Sequence, residues 1–226
     1  MNKRSVEQRL AGVETFAEPT AALEQYPTPP DVAAHLLHLA AMRGDVDGAT
    51  VLDLGAGTGT LALAAALYEP AVVLAVERDR EALATAVENE RRVDPPVAVS
   101  WLHADATALP VFPRPDSDPP SRRDTRQLTV VSNPPFGAQD GNEHADRRFL
   151  TAIADAAVEV DGSTHAPVVS YTLHNAGSRS FVESFVADAD ATVTDAFAVT
   201  LPLSRQFGHH AAERVEIDTE LFRVEW

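Results

Sequence analysis

Apolar residues are distributed along the chain in two rhythms. Short runs rich in β-branched residues occupy 51–54, 72–76, 97–102, 128–132, 167–173 and 191–200, and they predict buried strands. Val215, Ile217, Thr219 and Leu221 alternate with polar residues and predict one closing strand. The stretches 32–42, 60–67, 80–91, 146–158 and 177–187 predict helices, with Asp31 and Asp79 placed as N-caps for the first and third of these. Val6, Leu10, Val13 and Phe16, then Leu23, predict an amphipathic N-terminal helix within 5–25, followed by a short second segment. Strands alternating with helices, under the right-handed crossover rule, predict one doubly wound α/β sheet without internal repeats.

Four strand ends carry candidate chemistry. The first run leads into Gly55-Ala56-Gly57-Thr58-Gly59, a turn that lets a ligand approach the backbone and points helix N–H groups at it. Its spacing is G-x-G-x-G, unlike the G-x-G-x-x-G of dinucleotide sites, so a pyrophosphate is not the favoured ligand. The second run ends in Glu77, placed either for ribose hydroxyls or as an exposed helix-capping acid. The third ends near Asp105-Ala106, where the carboxylate can accept from an adenine amine and the Ala106 N–H can donate to a ring nitrogen. The fourth ends in Asn133-Pro134-Pro135-Phe136. Proline fixes φ and restricts the preceding residue, which holds Asn133 and Pro134 nearly rigid. An amide oxygen and a free carbonyl can then accept from a planar amine while Phe136 stacks on its ring. The alternative is a proline-rich turn with a core Phe. In an open α/β sheet all four tips share the edge that forms the ligand crevice.

Charge changes the picture less than it first suggests. Asp and Glu number 34 against 18 Lys and Arg, a net charge of −16, and Lys3 is the only lysine. This composition reads as a solvated halophilic surface. Acidity argues against a nucleic-acid partner, but concentrated salt screens the repulsion within a few ångströms, so the partner stays open. The absence of Cys excludes disulfides and thiolate metal sites and fits a cytoplasmic home. No apolar run is long enough to span a bilayer, and Met-Asn-Lys-Arg lacks the apolar segment of a signal peptide. His35 and His38 lack a nearby third ligand and read as partly buried helix histidines, so no metal site is expected. The stretch 113–126, with Arg114, Arg122, Arg123 and Arg126, reads as a solvated surface loop rather than an RNA grip.

Taken together, these features resemble the class I S-adenosylmethionine-dependent methyltransferases, in which N-P-P-[FY] marks transfer to a planar nitrogen. Further segments narrow the resemblance. Leu23-Glu24-Gln25-Tyr26-Pro27-Thr28, Asn133-Pro134-Pro135-Phe136-Gly137, Ala145-Asp146 with Phe149-Leu150, Tyr171-Thr172-Leu173-His174 and Val215-Glu216-Ile217-Asp218 are similar to the methyltransferase-like protein five family, across nearly the whole chain. That family comprises adenine-N6 methyltransferases of small-subunit ribosomal RNA. The resemblance implies a Rossmann-like, doubly wound, mostly parallel seven-stranded sheet with an antiparallel C-terminal strand. It implies one domain over 1–226, with 1–47 a helical cap and cofactor lid and 48–226 the core.

The implied cofactor, S-adenosylmethionine, would lie across Asp53, Gly55, Gly57, Thr58 and Thr60. Glu77 would take its ribose, Asp105 and Ala106 its adenine, and Gln25 and Thr28 its methionine end, with Asn133 beside the methyl. Asn133, Pro134, Pro135 and Phe136 would be catalytic. Tyr26 belongs either to this site or to the core. The implied partners are small-subunit ribosomal RNA and a small zinc-binding activator subunit that joins the sheet by strand pairing to form a heterodimer; no membrane is involved. One departure concerns Arg205-Gln206-Phe207-Gly208-His209-His210, where relatives carry a lysine-rich loop, and this puts the RNA contacts in question. The same N-P-P-F motif also resembles DNA-adenine, RNA guanine-N2 and protein-glutamine methyltransferases, against which the Glu-Gln-Tyr-Pro-Thr segment argues. A catalytically idle cofactor-binding scaffold would be expected to lose part of the N-P-P-F set, which here is intact.

Overall fold

The structure, a computed structural model, describes residues 1–20, 24–109, 127–136, 145–157, 168–203 and 215–226. Seven strands, β1 (Thr50–Leu54), β2 (Val72–Glu77), β3 (Val99–His103), β4 (Leu128–Ser132), β5 (Val168–Asn175), β6 (Thr192–Leu203) and β7 (Val215–Glu225), form one sheet. Their order is β3-β2-β1-β4-β5-β7-β6. The first five strands are parallel, and β7 runs antiparallel to both β5 and β6. Among the described residues six α-helices accompany them: α1 (Lys3–Leu10), α2 (Pro30–Arg43), α3 (Thr60–Ala66), α4 (Arg80–Val93), α5 (Ala145–Ala157) and α6 (Arg179–Asp188).

The central strands read as unbroken apolar runs because helices cover both of their faces. On one face Val6 and Leu10 of α1, Leu36 and Leu37 of α2, and Leu63 of α3 pack on Val51, Val131 and Tyr171. On the other, Phe149 and Ile153 of α5 meet Leu52, Leu54 and Val130, and Val182 and Val186 of α6 join Leu150, Phe222 and Val224. Chain direction around the sheet reverses between β1 and β4, so the crevice beyond their carboxyl ends is the place where such a fold holds a ligand.

Two N-terminal expectations are corrected. The amphipathic spacing runs on through Phe16, but α1 stops at Leu10. Beyond it the chain is held by tertiary bonds: the Glu14 N–H donates to Asn89 Oδ1 at 2.8 Å, and Asn89 Nδ2 donates to the Glu14 carbonyl at 2.9 Å. Helix α2 starts at Pro30 rather than after Asp31, with Pro29 in the N-cap place and no side-chain cap. Proline lacks the N–H that a first helical residue leaves unbonded, so Pro30 can open the helix and Asp31 falls inside the first turn. Asp79 does cap α4, accepting from Glu81 N–H at 2.8 Å. His35 and His38 are half-buried on α2, and His38 Nδ1 lies 3.3 Å from the Tyr68 hydroxyl. Leu23, Gly137, the arginines at 114, 122, 123 and 126, and the segment from Arg205 to His210 lie outside the described residues. Among the described residues no helix is long and apolar enough to cross a membrane.

Candidate active site

A cavity of about 350 Å³ opens at the carboxyl ends of β1, β2, β3 and β4. Its floor is the glycine turn. The N–H groups of Gly55 and Ala56 both donate to the Val76 carbonyl, at 3.0 and 2.9 Å, which pins the turn to the end of β2. Gly57 has φ +55°, and a Cβ there would lie 2.9 Å from Phe16 Cζ, so a side chain would be strained and would displace the Phe16 ring. Phe16 thus covers the turn from the N-terminal segment. Asn89, buried on α4, fixes that cover by donating to the Thr58 carbonyl at 2.9 Å while bonding Glu14 on both sides.

Glu77 forms the next wall. Its carboxylate accepts from Gly57 N–H at 2.8 Å and from Asp79 N–H at 2.7 Å. A carboxylate has about four acceptor positions, so capacity remains for two more donors. Asp105 Oδ1 accepts from the Thr107 N–H at 2.9 Å and hydroxyl at 2.7 Å. Those bonds, assisted by the nearby Arg78 and Arg148, hold its carboxyl below the usual range. Ala106 adjoins it, and both line the cavity.

The fourth wall joins the N-terminal strip to the tip of β4. Asn133 Nδ2 donates to Thr28 Oγ1 at 3.1 Å, and the Phe136 N–H donates to Glu24 Oε2 at 2.8 Å. Asn133 Oδ1 is out of contact with solvent and has no hydrogen-bond partner. Gln25 lines the cavity on the β2 side, where Nε2 donates to Asp79 Oδ2 at 2.5 Å and Oε1 accepts from Thr20 N–H at 2.7 Å. Tyr26 is half-buried and also lines the cavity; burial, then the Glu24 charge, raises its hydroxyl pKa.

The expected residues converge, with three qualifications. Gln25, Thr28, Gly55, Gly57, Thr58, Thr60, Glu77, Asp105, Ala106, Asn133 and Pro135 all line one cavity. Asp53 lies beneath it, fully buried, with Oδ2 accepting from the Ala62 N–H at 2.9 Å and Oδ1 without a partner. Burial pushes its carboxyl up to about 8, with the Ala62 N–H opposing and the Glu77 charge adding to the rise. Pro134 is buried, and the half-buried Phe136 packs against the main core. Sequence patterns gave no site role to Phe16, read as a helix position, or to Glu24, quoted only within its motif, and did not single out Asn89 or Thr107. The most visible sign was Asn89, an amide at a position of α4 that the helix buries. Among the described residues no group of three or more His, Asp or Glu is arranged to hold a metal ion.

Residues 28–199 match the model of the methyltransferase small domain family. Two relatives align along almost the whole chain. A Methanocaldococcus jannaschii protein of uncharacterized function is 30% identical, covering 100% of this chain and 94% of its own. The Drosophila melanogaster rRNA N6-adenosine-methyltransferase is 30% identical, covering 98% and 96%. The crystal structure of a Pyrococcus horikoshii protein, named as a candidate RNA methyltransferase, superposes with a TM-score of 0.78 at 30% identity, covering 100% of this chain and 98% of that one.

Proposed function

The chain belongs to the methyltransferase small domain family, and on that premise we propose that it methylates adenine N6 in ribosomal RNA, with S-adenosylmethionine as methyl donor. The fly relative carries that acceptor in its name. The observation that carries the reading is Asn133 Oδ1, a buried acceptor without a partner, on a side chain that lines a glycine-floored cavity and is followed in the chain by Pro134. Buried acceptors are ordinarily satisfied, so one without a partner on a cavity-lining residue is available to a ligand's donor.

The residues present fit the cofactor. At Gly57 the floor lacks a side chain, and a Cβ there would crowd Phe16, while Glu77 retains acceptor capacity for ribose hydroxyls. Asp105 and Ala106 take the adenine, and Thr28, Gln25, Thr58 and Thr60 border the remainder. Asp53 acts from below by holding the first turn of α3 through Ala62. When bound, S-adenosylmethionine supplies an electrophilic methyl carried on a sulfonium.

The protein's own task is to aim a poor nucleophile. The lone pair of an adenine amine is delocalised into its ring. Accepting both N6 protons, on Asn133 Oδ1 and the Pro134 carbonyl, turns that lone pair toward the methyl. Thr28 keeps the amide from rotating by accepting from Nδ2. Methyl transfer would break the C–S bond as the N–C bond forms and leave a surplus N6 proton, which would pass to water after the step. Rate then comes chiefly from positioning and from better binding of the transition state, with no dedicated general base. A target base leaves its stack to reach the cavity, and the half-buried Phe136 ring receives it.

The finer assignment is small-subunit ribosomal RNA as substrate, in the cytoplasm, with the acid excess as a halophilic surface. A zinc-binding activator would complete a heterodimer by strand addition. The sheet offers β3 and β6 as its outer strands, and β3 carries the half-buried Trp101 and Leu102. The test is transfer of labelled methyl to small-subunit ribosomal RNA in concentrated salt, with and without the activator. Label in the RNA, enhanced by the activator, is expected. Cofactor binding without transfer in either condition would point to another acceptor or an idle scaffold.

A further inference from the structure

The loop Asn133-Pro134-Pro135-Phe136 has an unusual shortage of handles. Its two central residues lack N–H groups, so within the tetrapeptide only Asn133 and Phe136 offer backbone donors by which the protein can grip it. The N-terminal strip takes hold at both ends. Thr28 accepts from the Asn133 side chain at 3.1 Å, and Glu24, 112 positions before Phe136, accepts from its N–H at 2.8 Å.

Glu24 is placed at some cost. It is 5% exposed, so a carboxylate has been removed from water. Its backbone sits at φ +48°, a left-handed conformation that glycine adopts freely and glutamate does not. The conformation also closes a tight turn, with the Tyr26 N–H donating to the Glu24 carbonyl at 2.8 Å. Burial and left-handed backbone at a residue whose carboxylate reaches the loop that carries the acceptor groups point to work done at that loop.

We propose that Glu24 is a positioning residue for methyl transfer: its carboxylate, by holding the Phe136 N–H, fixes the loop so that Asn133 Oδ1 and the Pro134 carbonyl face the incoming amine. The inference rests on the acceptor chemistry proposed above. The two ends of the strip then have separate duties, with Thr28 orienting the amide and Glu24 setting the path of the backbone behind it.

The experiment uses the full chain, with the activator where activity needs it, and compares Glu24→Ala, Glu24→Gly and Glu24→Gln. Three quantities are read: kcat and KM for RNA, calorimetric affinity for S-adenosylmethionine, and hydrogen exchange of the Phe136 amide. Removing the side chain should lower kcat by about 100-fold, since a misaimed acceptor loses most of the positioning advantage. The KM for RNA and the cofactor affinity should stay within about threefold, and the Phe136 amide should lose protection. Glu24→Gly relieves the left-handed backbone, so it should fold at least as well as the alanine variant and be equally slow. Glu24→Gln keeps an acceptor oxygen at the same reach and should recover kcat to within about tenfold of wild type, together with Phe136 protection. Unchanged kcat in the alanine variant, a loss confined to cofactor affinity, or a glutamine variant as slow as alanine would each overturn the inference. Exchange at Phe136 needs no RNA. If wild type transfers no methyl to ribosomal RNA, the acceptor assignment fails by itself, and the exchange arm still decides whether Glu24 holds the loop.

Discussion

Where α2 meets the β5–β7 pair, Asp45, Tyr171 and Arg223 form a buried cluster in which each side-chain nitrogen and oxygen has a partner. At the tips of β1 and β4, Asp53 Oδ1 and Asn133 Oδ1 are equally buried and have none. Arg223 Nε donates to Asp45 Oδ2 at 2.9 Å, Tyr171 donates to the same oxygen at 2.5 Å, and Gln127 donates to Oδ1 at 3.1 Å. The remaining Arg223 nitrogens reach Asp45, Thr194 and Glu225. Burial alone would raise the Asp45 carboxyl, but the hydrogen bonds from Arg223 and Tyr171, with the Arg223 charge, bring it below its usual value. Asp53 has only the Ala62 N–H against its burial and rises to about 8. Leaving a buried polar atom unmatched costs about 1–3 kcal/mol, so the second region gives up stability that the first does not. Matched buried polar groups mark structure, whereas the unmatched amide oxygen of the cavity-lining Asn133 marks a place for a ligand's donor; the unmatched Asp53 Oδ1 lies below that cavity.

Breaking the matched cluster should have the largest effect, and on stability alone. Arg223→Met strands the Asp45 charge and should cost about 3–5 kcal/mol in urea unfolding, while turnover per folded molecule stays the same. Breaking the unmatched region should do the reverse. Asn133→Ala should lower kcat by about 10²–10³-fold with little change in the unfolding midpoint.

His174 sharpens the contrast with pH. Buried on β5, it has Nε2 3.0 Å from Thr172 Oγ1 and Nδ1 without a partner, and burial lowers its pKa to about 4. A folded pKa below the unfolded 6.5 means the contribution is present above pH 6.5 and is lost as pH falls through about 4. At fixed salt, wild type should lose about 3 kcal/mol across that window beyond what His174→Phe loses. The smallest effect belongs to the floor of the cavity. Gly57→Ala forces a Cβ to 2.9 Å from Phe16 at φ +55° and should weaken cofactor binding about tenfold, read by calorimetry.

Much of this was legible in the chain itself. The strands announced themselves because buried parallel strands are continuous apolar runs, and the switch-point edge followed from their alternation with helices. The glycine turn, Glu77 and Asn133 were readable because each stands immediately after such a run, and Asp105 because it lies just beyond one. Phe16 misled, since its apolar spacing continued the helix of Leu10 while its burial comes from lying over Gly57. Glu24 stood in a quoted motif and Asn89 in none, but neither contact was legible, because their partners are 112 and 75 positions away in sequence and only the folded sheet brings them together. Asp53 was placed among cofactor ligands by its neighbours; the structure sets it one layer below them, under the turn it supports.

The most direct test of the central claim is nucleoside mass spectrometry of small-subunit ribosomal RNA after incubation with S-adenosylmethionine and the protein. Wild type should produce N6-methyladenosine, Asn133→Ala should form it at least about 100-fold more slowly, and Arg223→Met should still form it at a temperature where it remains folded. Methyl on guanine N2, or N6-methyladenosine formed equally fast by Asn133→Ala, would contradict the assignment of the unmatched amide oxygen to the target amine.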